Sequence, residues 1–123
     1  MVLYDIKHMN EENHLKEIGT GNKIILENLV NIAGKTEIRI SLPLVPGFND
    51  DEENIVETAR FAHHLNIRYI DINPLHMLGR DKFSYLGLTD HYKNYRQVTK
   101  EDVNKTRKII EKFGIKTTVG RMM

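Results

Sequence analysis

An alternation constrains this chain more than any other feature. Apolar, β-branched runs at residues 2–7, 36–45 and 67–72 are separated by segments whose apolar residues recur at helical spacing. In residues 23–33, Ile25, Leu26, Leu29 and Ile32 or Ala33 share a helical face, and Gly34 stands as the stop. Ile55, Ala59, Ala62 and Leu65 make a second buried stripe; Val103, Thr106, Ile109, Ile110 and Phe113 make a third, ending at Gly114. Residues 115–119 supply a last short strand. Helices inserted between strands imply parallel pairing through right-handed crossovers, so the predicted class is α/β. A closed barrel of this kind takes roughly 250 residues. The 123 residues here hold about three parallel βα units, one domain that reads as half of something larger.

Local signals refine the order. Residues 8–17 read as a polar loop leading into a short exposed helix, and the cluster Gly19-Thr20-Gly21-Asn22 breaks it. Pro43 is expected to make the second strand irregular near its end. Pro46-Gly47-Phe48-Asn49 makes a turn, after which Asn49 or Asp50 caps a helix whose first turn is acidic. A long loop through Lys82, Tyr85 and Tyr95 follows the third strand, and Thr99 with Asp102 forms a capping pair for the last helix.

Composition narrows the function classes. A net charge of +1 suggests no nucleic-acid footprint, and no apolar run approaches the ~18 residues of a membrane span. The N-terminus lacks a basic region followed by an apolar stretch, so no signal peptide is expected. The cysteine count is zero, which excludes disulfides and thiolate metal sites within the chain and fits a cytoplasmic protein.

Candidate chemistry collects at one rim. Segments 5–7, 46–49 and 73–79 follow strands, whereas the opposite connections at Gly34-Lys35 and Asn66 are short and plain. Ligands of parallel α/β proteins gather at the carboxyl ends of strands. Asp5 and Lys7, two apart on a strand, project from the same face. Without further information they read equally well as a solvated charged pair. His63 and His64 are adjacent on a helix and cannot share a face, and apart from His76 the histidines show no ligand spacing.

Three motifs occur in order: Tyr4-Asp5-Ile6-Lys7-His8-Met9-Asn10, Leu42-Pro43-Leu44-Val45-Pro46-Gly47-Phe48-Asn49-Asp50, and Asn73-Pro74-Leu75-His76-Met77-Leu78-Gly79 followed by Lys82-Phe83. Together they resemble the C-terminal half of the glycyl-radical-enzyme activating enzymes, a radical S-adenosylmethionine family that includes pyruvate formate-lyase activase. The implied fold is the C-terminal half of a partial, TIM-like (β/α) radical SAM barrel. The resemblance implies that Asp5 helps hold the methionyl end of S-adenosylmethionine, with a monovalent cation. Lys7 would sit beside the methionyl carboxylate or the incoming peptide. His76 matches the family histidine near the adenosine, although Asn73 and Leu75 replace the leucine and tyrosine of that motif. The family arginine before the Pro-x-x-Pro-Gly turn is Ser41 here, and Arg39, on the same strand face, is the candidate substitute.

The resemblance also implies a part this chain does not contain. Family members bind a [4Fe-4S] cluster through a Cys-x3-Cys-x2-Cys motif, and iron–sulfur clusters require such thiolates. A chain without cysteine is expected to be inactive alone, its family partners being a glycyl radical enzyme and an electron donor such as flavodoxin or ferredoxin. Uncovered, the apolar strand at residues 2–7 is expected to drive self-association. Two other readings remain open from sequence: a TIM-barrel lyase or aldolase fragment with Lys7 as Schiff-base nucleophile, and a non-catalytic binding module.

Overall fold

The structure is a computed structural model and describes residues 2–19, 21–74 and 98–120. Four strands, β1 (Val2–Asp5), β2 (Ile38–Leu44), β3 (Tyr69–Pro74) and β4 (Lys116–Val119), lie in one sheet in sequence order. All three pairings are parallel. The helices between them are α1 (Glu11–Ile18), α2 (Lys23–Ile32), α3 (Glu52–His64) and α4 (Lys100–Glu111).

One parity of every strand faces the helices. Ile6, Ile38, Ile40, Leu42, Leu44, Ile70 and Ile72 form the core with Leu29 of α2, Ile55, Ala59 and Ala62 of α3, and Val103, Ile109 and Ile110 of α4. The other parity is mostly polar: Asp5, Arg39, Ser41, Asp71 and Asn73 are half-buried, and Lys116 and Thr118 are exposed. Helices gathered on one face of a parallel sheet wound in sequence order give the arc of a barrel wall, with a polar inner face. Both edges, β1 and β4, end in unpaired backbone among the described residues. Val2 and Leu3 remain exposed on β1, as expected of an uncovered edge.

Several local expectations need correction. β2 is regular through Pro43, which pairs with Asn73 on β3. The reason is register: Ile6 N–H donates to the Ser41 carbonyl at 3.0 Å, so alternate residues of β2 turn their polar groups toward β1. Pro43 falls at the next such position, beyond the end of β1, where its missing N–H breaks no ladder bond. The turn after β2 has φ +93° at Gly47 and a 3.0 Å bond from Phe48 N–H to the Val45 carbonyl, the type II arrangement that favours glycine. Asp51, rather than Asn49 or Asp50, caps α3, accepting from Asn54 N–H at 3.0 Å. The last helix carries the predicted Thr99–Asp102 capping box. β3 lies two residues later than expected, starting at Tyr69 rather than Ile67 and running through Asn73 and Pro74.

Candidate functional site

β1 hands the chain to the rim at Asp5. Two residues on, Lys7 has left the ladder and its ammonium turns back to donate to the Asp5 carboxylate. The Lys7 side chain is 17% exposed and that of Asp5 39%, so the pair stands at the surface with its stem packed. Sequence reasoning placed these two charges on one spot, and the structure brings them into contact.

Ser41 lies directly across the ladder from Asp5, and Asp71 directly across from Ser41. The Ser41 hydroxyl accepts from the Asn73 amide at 2.6 Å. Arg39 is committed elsewhere. Its guanidinium donates to Asp71 through Nε at 3.1 Å and Nη2 at 2.6 Å, and stacks 4.4 Å over the Tyr69 ring. That places it on the β3 side of Ser41, away from Asp5. The hydrogen bond to Asp71 raises the Arg39 pKa, and the same bond lowers that of Asp71 against the opposing effect of burial. Thr118 of β4 also donates to Asp71, tying the row together. His76 lies outside the described residues.

What the sequence did not show is the support behind this row. His8 is buried; its Nδ1 accepts from Asn10 N–H at 2.9 Å, its ring meets Phe48 at 5.0 Å, and its Nε2 has no hydrogen-bond partner. Burial lowers its pKa, opposed by the charge of Asp51 and assisted by that of His14. His14, read as lying on an exposed helix, is also buried. Asn22, Asn49 and Asn54 are buried as well, and all bond the turn at residues 7–9. A period-two or period-3.6 pattern carries no signal for asparagines that act on backbone N–H and carbonyl groups.

The arrangement offers a carboxylate and an ammonium at a strand end, beside neutral hydroxyl and amide groups. It suits an amino-acid-like ligand, whose own ammonium and carboxylate would exchange with the internal ion pair. Among the described residues, no group of three or more His, Asp or Glu is placed to hold a metal ion. No described helix is long and apolar enough to cross a membrane.

No family model matches the chain. The 4-hydroxyphenylacetate decarboxylase activating enzyme of Clostridioides difficile is 35% identical over 123 residues, covering 96% of this chain and 38% of that protein. The isethionate sulfite-lyase activating enzyme of Desulfovibrio desulfuricans is 41% identical over 92 residues, covering 70% of this chain and 28% of that protein. A crystal structure of a domain of pyruvate-formate lyase-activating enzyme from Bacteroides vulgatus superposes with a TM-score of 0.76 at 26% identity, covering 98% of this chain and 67% of that one. The chain is thus a homologue of the glycyl-radical-enzyme activating enzymes. It spans about two fifths of the length of the first of these curated relatives, 38%.

Proposed function

We propose that this chain is the part of a glycyl-radical-enzyme activase, the C-terminal half, that receives S-adenosylmethionine opposite the cluster. The single observation carrying this reading is the Asp5–Lys7 pair at the end of β1 on the polar face of the sheet. In this reading Asp5 and Lys7 hold the methionyl zwitterion. Ser41 and Asn73 present neutral polar groups beside it, and His76 takes the role of the family histidine that serves the adenosine. Arg39, clamped by Asp71, shapes the face rather than contacting the ligand. Asp5 also contributes one carboxylate oxygen to a monovalent cation, whose other ligands would be backbone, water or the cofactor.

The [4Fe-4S] cluster does not fit this chain, which has no thiolate to offer it. The radical step therefore belongs to the whole protein, together with its glycyl radical enzyme partner and an electron donor such as flavodoxin or ferredoxin in the cytoplasm. This chain's own residues bind and orient; they do not generate a radical.

Isothermal titration with S-adenosylmethionine tests the reading. Weak saturable binding, lost in Asp5→Ala and in Lys7→Met, is expected; no binding by the folded wild type overturns it. Under dithionite the chain is expected to release no 5′-deoxyadenosine from S-adenosylmethionine.

A further inference from the structure

Lys7 follows the last ladder contact of β1, and among the described residues no sheet bond holds its peptide. The Ile6 N–H still reaches Ser41. The next acceptor in line, the Ile6 carbonyl, faces Pro43, which has no N–H to give. A charged pair standing on such a free end would wander.

The structure supplies a substitute from 42 residues away. Asn49 is fully buried, and both hydrogens of its amide are used: Oδ1 accepts from Val45 N–H at 2.9 Å, while Nδ2 donates to the Pro43 carbonyl at 2.6 Å and the Lys7 carbonyl at 2.9 Å. Two carbonyls on one side and one N–H on the other allow a single orientation of the amide. Asn54 backs it, donating to the Asn49 carbonyl at 2.9 Å and accepting from Met9 N–H at 2.9 Å.

We infer that Asn49 is the positioning residue of the Asp5–Lys7 pair. Holding the Lys7 carbonyl fixes that residue's ψ, and with it the direction in which the Lys7 side chain leaves the backbone. Its other two bonds reference this direction to the end of β2, so the ammonium is set relative to Ser41 and Asp5 together. Aspartate has the same shape but would aim lone pairs at two carbonyls, and serine is too short to span them. The inference rests on the reading that Asp5 and Lys7 form the ligand site.

The test reads Lys7 directly and needs no ligand. Competitive reductive methylation, quantified by peptide mass spectrometry, compares Lys7 with exposed Lys112 in the wild type, Asn49→Ser, Asn49→Asp and the remote core variant Ile110→Val. Each protein is assayed at the same interval below its Tm. Both Asn49 variants are expected to raise the Lys7:Lys112 ratio roughly threefold or more, the scale of releasing one surface ion pair. Ile110→Val is expected to leave the ratio unchanged. A ratio that moves equally in all variants, or in none, overturns the inference and leaves Asn49 a packing residue. If the Asn49 variants do not fold, the wild type decides. Its Asn49 side-chain amide protons should exchange on the order of a hundredfold more slowly than those of exposed Asn104, and comparable rates overturn the inference. Loss of the ligand reading would appear separately, as a folded wild type with protected Lys7 and no affinity for S-adenosylmethionine.

Discussion

Arg39 of β2 and Asp71 of β3 meet on a diagonal of the ladder through two hydrogen bonds, Nε to Oδ2 at 3.1 Å and Nη2 to Oδ1 at 2.6 Å. The pair neutralises itself on the polar face, and it makes the stability of the sheet depend on acid. The Asp71 pKa lies below its ordinary value of 3.8, chiefly because of the bond from Arg39. The stabilisation is therefore complete above that value and is lost as pH falls through the folded-state pKa. Arg39 stays charged throughout. Asp71→Asn should lower Tm modestly at neutral pH and fall less steeply than wild type below pH about 4. Thermal melts between neutral pH and the acid limit check this; parallel curves would remove the linkage.

His8 predicts a second acid dependence. Burial lowers its pKa, so the folded state prefers the neutral ring. Stability is full above the ordinary histidine value of about 6.5 and declines as pH falls from there through the folded-state pKa. Protonation would also set an Nδ1–H against the Asn10 N–H that now donates to Nδ1, at the cap of α1. His8→Asn, which does not titrate, should flatten the denaturation midpoint between pH about 7 and 5. An unchanged slope would show that His8 does not carry it.

Ile40 sits at the centre of β2 with no exposure, packed in the helix-facing core. Ile40→Ala should cost about 2–5 kcal/mol and Ile40→Val about 0.5–1.5 kcal/mol, measured by urea denaturation. Losses near zero for Ile40→Ala would mean that the helices do not close over this strand.

β1 is an edge strand whose Leu3 is 59% exposed on the polar side. The purified chain is expected to associate with rising concentration through this edge. Leu3→Lys should shift sedimentation toward the monomer without lowering Tm. A monodisperse wild-type monomer with a sharp, high transition would count against an open barrel wall.

The alternation of strands and helices was legible because each element is long enough to show its period, and Asp5 with Lys7 was legible because two-residue spacing fixes a shared face. Register was not. Arg39 and Asp71 are 32 residues apart, and only the alignment Ser41 to Asp71 puts them within reach. Asn49 was misread for a related reason: an asparagine before an acidic run matches a helix cap, and Asp51 matches equally well. The sequence holds both candidates; the choice lies in which carbonyls the folded turn leaves without donors.

Pro43 acts as a length gauge for its neighbour. Any other residue there would offer the Ile6 carbonyl a donor, letting pairing of β1 run on past its present end and competing for the backbone that Asn49 now holds. A ring that cannot donate thus decides where one strand stops, and so at what height above the sheet Asp5 and Lys7 meet.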